Sequence, residues 1–142
     1  MNPSRTLVAT GETGRNPRVY IWSAQTGEIK CFYKCKRVRG VKTIGWSKSS
    51  KYVGFSGLDN EHTVFLVDPS GKKKAKLLGS GKGGPGAFFD MAFSTVDEGV
   101  FVTIGKASKY WTYDGGVLKG CLLKFGNKKR CTLIVGTFTD SG

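Results

Sequence analysis

The glycine-rich segment at residues 79–86 is the first candidate for chemistry, because it contains the G-x-G-x-x-G spacing of phosphate-binding loops. In a nucleotide site this spacing leads into a helix whose first backbone amides hold the phosphates. Here Pro85 follows, and residues 88–91 have the character of a strand. Lys82 precedes Gly83, where a Walker motif has Ser or Thr. We therefore interpret the segment as a flexible connection between two structural units.

The four cysteines are the next candidates, as metal ligands or as disulfides. The N-terminus has no apolar stretch typical of a signal peptide, so reduced thiols in a cytosolic compartment are expected. Cys31 and Cys35 lie four positions apart, which puts both on one face of a strand. A structural zinc site needs four ligands, commonly in close pairs, and Cys121 and Cys131 have neither that spacing nor a nearby His. We predict ordinary packing thiols, with no metal and no cofactor.

The single histidine, His62, lies close to two carboxylates, Asp59 and Glu61. A catalytic histidine needs a nucleophile and a group that orients it, and the sequence has no G-x-S-x-G elbow and no second histidine. The three side chains could hold a metal in principle, but a solvated turn with local hydrogen bonds is the ordinary case. We predict no catalytic residues and no enzyme activity.

The basic residues carry the strongest functional signal. The chain has 23 Lys and Arg against 10 Asp and Glu, a formal net charge of +13, and such a surface attracts polyanions. Three clusters are candidate partner-binding sites: Lys34, Lys36, Arg37 and Arg39 with Lys42; Lys72, Lys73, Lys74 and Lys76; and Lys128, Lys129 and Arg130. The alternative for each single cluster is that its lysines give solubility and protect edge strands.

A sequence repeat organises the elements that position these residues. Each copy has an alternating strand that ends in an aromatic residue and Ser, then a polar turn, a strand of small residues and a third strand. The paired segments are 41–47 with 89–94, 52–57 with 99–105, and 63–68 with 109–114. Trp46 and Phe93 lie 47 positions apart, and Val67 and Trp111 lie 44 apart. A WD-type propeller blade has four strands and runs about 40–45 residues.

The repeat predicts an all-β chain of about three four-stranded antiparallel WD-type β-propeller blades in an incomplete ring. We assign a half blade at 5–33, blades at 41–78 and 87–125, and the start of another at 130–142, all within one partial propeller, 1–142. A β-sandwich is the alternative, but it does not explain the repeat. Because a propeller closes with about 4–8 blades, we expect the remaining blades to come from a longer chain or another copy. In four-stranded blades the three basic clusters fall on or beside the outermost strands, where they could line the rim.

Several ordered motifs resemble the first propeller of the echinoderm microtubule-associated protein-like family. The matching segments are 8–12 (VATGE) with 19–23 (VYIWS), 59–64 (DNEHTV), and 101–105 with 109–112 and 115–118. The resemblance implies tandem propellers on a long chain, microtubule association, and a cytoplasmic or ciliary location. No unit keeps both residues of the Trp-Asp pair, so we expect the buried network that links Trp to Ser or Thr, His and Asp to be absent or heavily altered.

Three functions follow as hypotheses. The first is a non-enzymatic cytoskeletal scaffold that binds acidic tubulin surfaces or neighbouring axonemal proteins, with no membrane contact. The second is a generic protein–protein hub in a larger complex. The third is a nucleic-acid-associated propeller, which the charge favours but the pattern does not, because the basic clusters are not interleaved with aromatics of the RNP type.

Overall fold

The computed structural model describes residues 1–129 and 131–139, and the chain there is built from β-strands and turns. Its strands form three antiparallel sheets in which each strand pairs with the next along the chain. Within the described residues there is no helix that is long and apolar enough to span a bilayer. The all-β prediction is confirmed.

The sheets follow one another along the chain. Sheet 1 has three strands and sheets 2 and 3 have four each. Sheet 1 comprises β1 (Leu7–Gly11), β2 (Arg18–Ser23) and β3 (Ile29–Lys34). Sheet 2 comprises β4 (Val41–Trp46), β5 (Val53–Gly57), β6 (Val64–Asp68) and β7 (Lys76–Gly81). Sheet 3 comprises β8 (Phe88–Phe93), β9 (Val100–Gly105), β10 (Lys109–Asp114) and β11 (Val117–Leu122).

Sheet 2 lies between the other two, and this position explains its composition. Every residue of β5 is buried, as are the first four residues of β6. A strand covered on both faces has no reason to alternate apolar and polar residues, so β6 reads as a continuous apolar run. One core, which includes Ile21, Phe55 and Val67, fills the space between sheets 1 and 2. A second, which includes Leu66, Phe101 and Trp111, fills the space between sheets 2 and 3.

Glycines on sheet 2 allow the neighbouring sheet to approach closely. A Cβ at Gly54 would lie 2.7 Å from the sulfur of Met91 and 3.0 Å from the ring of Phe93. Strands β4 and β5 therefore accept bulky side chains from β8 without a gap, as close packing of two sheets requires.

The sheet bounds fall close to the predicted units. The N-terminal unit, predicted at 5–33, holds three strands and ends with β3, and β7 runs three residues beyond the predicted limit at 78. The start of a further blade was placed at 130–142, of which 130 and 140–142 lie outside the described residues. Residues 131–139 form no regular strand, but the amide of Leu133 donates to the carbonyl of Gly105 at 3.2 Å, so this segment meets the end of β9. The further blade stays a prediction.

Candidate interaction surface

Sheets 1 and 2 are joined at their outer edge by backbone hydrogen bonds. The amide of Phe32 in β3 donates to the carbonyl of Lys73 at 3.2 Å, and the amide of Ala75 donates to the carbonyl of Phe32 at 2.9 Å. Phe32 and Lys74 form a parallel bridge. The lysine-rich turn that precedes β7 is therefore held against the outermost strand of sheet 1.

This junction brings two sequence-distant basic clusters into one groove of about 370 Å³, which we call the rim groove. Its lining combines four basic side chains with two aromatic rings, and none of its lining residues is acidic: Arg18, Phe32, Tyr33, Lys34, Lys36, Lys74 and Ala75. Lys34, Lys36 and Lys74 are exposed to solvent. The groove thus presents several positive charges in a small volume, which attracts an anionic partner.

The two aromatic rings that line the rim groove, Phe32 and Tyr33, are held in place by neighbouring side chains. The Arg18 guanidinium lies 5.3 Å from the centroid of the Phe32 ring and donates a hydrogen bond to the Tyr20 hydroxyl at 3.0 Å. That hydrogen bond raises the pKa of Arg18, whose charge is present at every physiological pH. Tyr33 packs on Phe55 and Phe65, and burial raises its pKa, so its hydroxyl stays a neutral donor.

The other predicted basic residues lie outside the rim groove. Arg37 and Arg39 lie on the loop that leaves β3. They line a separate pocket with Arg15. The remaining predicted residues are all exposed: Lys42 on β4, Lys72 and Lys73 on the turn before β7, Lys76 on β7 in register with Asp68 of β6, and Lys128 and Lys129 after β11. Arg130 lies outside the described residues. No observation tests the binding role of any of these side chains.

Arg18 is a rim-groove residue that the sequence analysis missed. It lies in register opposite Lys34 across β2 and β3. Residues opposite one another in an antiparallel pair project to the same face of the sheet. Pairing the two strands in register from the sequence would therefore have placed Arg18 beside the predicted lysine.

His62 has a structural position. Its Nδ1 lies 2.9 Å from the carbonyl oxygen of Gly84, and the amide of Gly84 donates to the carbonyl of Glu61 at 2.8 Å. The Asp59 carboxylate accepts hydrogen bonds from the amide and the hydroxyl of Thr63 at 2.8 and 2.7 Å. These contacts agree with the predicted turn and attach it to the glycine-rich segment. Across residues 1–129 and 131–139, no three His, Cys, Asp or Glu side chains are grouped so that they could hold a metal ion.

Cys31 and Cys35 are packing residues, as predicted, but the same prediction is wrong for Cys121 and Cys131, which are exposed because no neighbouring sheet of the described chain covers them. Cys31 and Cys35 are both fully buried in the core between sheets 1 and 2. The Cys31 thiol donates to the carbonyl of Pro69 at 3.2 Å. Burial raises the pKa of the Cys31 thiol and raises that of Cys35 to about 12. Both are therefore protonated and unreactive at neutral pH.

The WD-type hydrogen-bond network, which we expect to be absent or heavily altered, is altered but not absent. The Trp111 indole N–H donates to the Thr103 hydroxyl at 2.9 Å, and the Trp22 indole N–H donates to the Thr10 hydroxyl at 2.7 Å. The Trp-to-Thr contact of the network therefore survives in sheets 1 and 3. In sheet 2, Val67 occupies the corresponding position, because it pairs with β5 as Trp111 pairs with β9.

Comparison with known proteins supports a propeller. No family model matches the chain. The chain is 36% identical over 108 residues to the ciliary WD repeat-containing protein ctxp80 of Euplotoides octocarinatus, an alignment that covers 75% of this chain and 15% of that protein. The chain thus corresponds to a small part of the length of the curated relative it matches.

Three solved structures share the fold. The β-propeller domain of Cps50 (Swd1) from Myceliophteria thermophila matches with a TM-score of 0.69 and 14% identity, over 87% of this chain and 37% of that one. A chain of the mitotic checkpoint complex gives a TM-score of 0.70 and 14% identity, over 96% and 40%. Hsv2 from Kluyvelomyces marxianus gives 0.64 and 12%, over 84% and 42%.

The solved structures show the fold alone, and the finer assignment to the echinoderm microtubule-associated protein-like family stays a prediction. The meander of each sheet, the stacking of the three sheets, the retained Trp-to-Thr contacts and the ciliary WD-repeat relative all point the same way. The chain is similar to WD-repeat proteins, and its three sheets have the fold of consecutive β-propeller blades.

Proposed function

We propose that this chain is part of a non-enzymatic WD-repeat scaffold that binds an acidic protein surface through the rim groove. The observation that carries the proposal is the convergence of Arg18, Lys34, Lys36 and Lys74 from three separate parts of the sequence, with no carboxylate among the lining residues. Lysines that served solubility alone would have no reason to converge from different blades on one concave site.

The proposed partner is tubulin or a neighbouring cytoskeletal protein, and the proposed location is the cytoplasm, at the cytoskeleton or in a cilium. Three observations support it: the ciliary WD-repeat relative, the resemblance of the motifs to a microtubule-associated family, and the net charge of +13 against the acidic surface and tails of tubulin. Complementary charge gives such an interface its association rate and its orientation.

Co-sedimentation with microtubules tests the proposal. The charge-reversed rim variant, with Lys34→Glu, Lys36→Glu and Lys74→Glu, should bind at least about tenfold more weakly, a change of about 1.4 kcal/mol. The matched control carries the same change of net charge at exposed lysines outside the groove, Lys48→Glu, Lys106→Glu and Lys119→Glu. Binding of the unchanged chain should weaken as salt screens the contact. Equal loss in both variants would show that net charge, and not the rim groove, drives binding.

A nucleic-acid partner is the second candidate, because aromatic rings do line the rim groove together with lysines. A single-stranded ligand stacks its bases on exposed ring faces. Here the Arg18 guanidinium lies over one face of Phe32, and Tyr33 packs on two core phenylalanines. The geometry favours protein, and poly(U) as a competitor in the same sedimentation assay separates the two. If poly(U) displaces the unchanged chain from microtubules at low salt but does not displace the rim variant, the nucleic-acid candidate is favoured.

A hub for other proteins is the remaining alternative. Affinity capture from ciliated cells with the unchanged chain and with the rim variant compares tubulin with all other captured proteins. Suppose that the unchanged chain captures no tubulin but another acidic protein that the rim variant does not capture. That protein would then replace tubulin as the proposed partner, and the rim groove would remain the proposed site.

A further inference from the structure

We propose that the pocket lined by Arg15, Arg37 and Arg39 binds the phosphoryl group of a phosphorylated serine or threonine in a partner protein. This arginine pocket has a volume of about 540 Å³, and its lining is completed by Gly14, Asn16 and Val38. It is formed by the β1–β2 loop and the β3–β4 loop, and it shares no lining residue with the rim groove. The proposal is therefore independent of the function proposed above.

The chemistry of the lining favours a compact dianion. Each guanidinium presents planar, paired N–H donors that match the oxygens of a phosphoryl group. No carboxylate lines the pocket, and none of the three arginines makes a salt bridge within the described part of the chain. Arg39 donates a hydrogen bond to the side-chain oxygen of Asn60 at 3.3 Å, which leaves its charge without a counter-charge. Three positive charges exceed what a single carboxylate would use.

Nearby carboxylates are already occupied. In the β1–β2 loop, Glu12 accepts a hydrogen bond from the amide of Arg18 at 2.9 Å. In the adjoining turn, Asp59 is held by Thr63, and Glu61 pairs with Lys82 at 3.5 Å. Within the described part of the chain, none of these carboxylates forms an ion pair with an arginine of the pocket.

The two loops hold the arginines in a fixed relation. The amide of Gly14 donates to the carbonyl of Arg39 at 2.8 Å, and the amide of Cys35 donates to the carbonyl of Pro17 at 2.9 Å. Val38 is buried beneath the loop. A site whose donors are positioned before binding loses less entropy when the ligand arrives.

The backbone of both loops is held in a conformation that costs free energy. Asn16 has φ of 57° and Arg37 has φ of 63°, in the left-handed region. A residue with a side chain, such as Arg37, persists in this conformation where the surroundings hold it, often at ligand sites. The strained arginine at the pocket supports a binding role over a purely solvated one.

A protein segment suits the surroundings better than a membrane surface does. None of the exposed large apolar side chains of the described chain lies in either loop, so the pocket has no residue to insert between lipids. The adjoining groove is lined by Arg37 and Arg39 together with Asp59, Asn60 and Glu61. Such a groove offers both donors and acceptors to the amides of a peptide backbone.

The test measures fluorescence anisotropy with the whole chain and a labelled glycine peptide that has one central phosphoserine. Matched peptides carry serine or glutamate at that position. The pocket variant is Arg15→Gln, Arg37→Asn and Arg39→Gln, where Asn tolerates the left-handed backbone. The charge-reversed rim variant serves as the control, and thermal melts confirm that each variant is folded.

We expect the phosphoserine peptide to bind at least about tenfold more tightly than the glutamate peptide, because phosphate has more charge and more acceptor oxygens. The pocket variant should lose at least about tenfold in affinity, and the rim variant should lose much less. Equal affinity for all three peptides, no saturable binding, or an unchanged pocket variant would overturn the proposal. Binding only to phosphatidylcholine vesicles that contain phosphoinositides would replace the protein partner with a lipid headgroup and overturn it as stated.

Discussion

The Trp111 indole donates to the Thr103 hydroxyl from one strand to its neighbour, and Trp22 makes the same contact with Thr10 in another sheet. In each case the threonine lies two residues beyond the partner of the tryptophan in the strand register. The two contacts differ in environment. Trp111 is 1% exposed because sheet 2 covers it, whereas in sheet 1 Trp22 is half-buried and Thr10 is exposed. The same Trp-to-Thr hydrogen bond thus lies on a face that is fully covered in sheet 3 and on a less covered face in sheet 1.

The buried contact should contribute much more to stability than its exposed counterpart. Trp111→Ala should lower the free energy of unfolding by about 3–5 kcal/mol, because a large buried ring is lost. Thr103→Val keeps the shape but removes the acceptor of a buried N–H, and should lower it by about 1–3 kcal/mol. Urea denaturation followed by circular dichroism measures both.

The matched controls are Trp22→Ala and Thr10→Val in sheet 1. Because solvent can satisfy the exposed groups, each should lower the free energy of unfolding clearly less than its counterpart in sheet 3. Equal losses in the two sheets would mean that the face of sheet 1 is covered in solution, for example by a second copy of the chain.

Two glycines make room for the Trp111 ring and provide the second prediction. A Cβ at Gly81 or at Gly120 would lie 2.6 Å from Cζ3 of the indole. Either Gly81→Ala or Gly120→Ala should therefore overpack the core and lower the free energy of unfolding by about 1–3 kcal/mol. Ser80→Ala, at an exposed neighbour on β7, is the control and should leave it nearly unchanged. Combining Gly120→Ala with Trp111→Phe should recover part of the loss, because the smaller ring removes the clash.

The fold was predictable because its signal is local. Alternating residues in β2 and the repeated spacing of Val67 and Trp111 follow from strands that stack against one another at regular intervals. The Trp-to-Thr contacts do not follow from the Trp-Asp pair, since that motif is incomplete in every unit and its loss predicts an altered network. A hydrogen bond needs only the two side chains that make it, and both were present.

The rim groove was predictable only in part. The positions of Lys34 and Lys36 near an outermost strand followed from the strand order. Their approach to Lys74 depends on the backbone pairing of Phe32 with the turn before β7, a contact between two sheets that no local pattern encodes. Arg37 has a left-handed φ of 63° and lines a pocket with the β1–β2 loop, whereas its neighbour Lys36 lines the rim groove.

The cysteines provide the third prediction. Cys121 and Cys131 are exposed, and they should react with a maleimide at neutral pH in the folded chain. Cys31 and Cys35 are buried, and both thiols are held in the protonated form by their raised pKa values. Mass spectrometry should find two labels on the folded chain and all four after denaturation in urea. Rapid labelling of Cys35 without denaturant would contradict the core described between sheets 1 and 2.

The Cys35 thiol also determines how the free energy of unfolding changes at alkaline pH. The pKa of Cys35 is raised from 9.0 in the unfolded chain to about 12 in the fold. Its contribution is therefore fully present below pH 9 and is lost as the pH rises towards 12, because only the unfolded chain can ionise there. Cys35→Ala should reduce the slope of stability against pH in this window. The control, Cys121→Ala, should leave the slope unchanged.

Glu98 provides the fourth prediction, at acid pH. Its Oε1 accepts a hydrogen bond from the amide of Ser49 at 2.8 Å and so joins the turn after β8 to the turn after β4. Burial opposes the charged form, but the polar groups of Ser47 and Ser49 and the charge of Lys51 outweigh it, and the pKa of Glu98 is lowered from 4.5. The carboxylate therefore stabilises the fold above pH 4.5, and this contribution is lost as the pH falls through the lowered value.

Replacing this carboxylate should accordingly have an effect that depends on pH. Glu98→Gln should lower the free energy of unfolding by about 1 kcal/mol at neutral pH, and the difference from the unchanged chain should shrink in acid, where Glu98 itself becomes neutral. Glu28→Gln makes the same chemical change in the exposed turn before β3 and should show little difference at either pH. Urea denaturation at pH 7 and in acid measures these values. A loss for Glu98→Gln that is equally large at both would mean that its shape, and not its charge, joins the two blades.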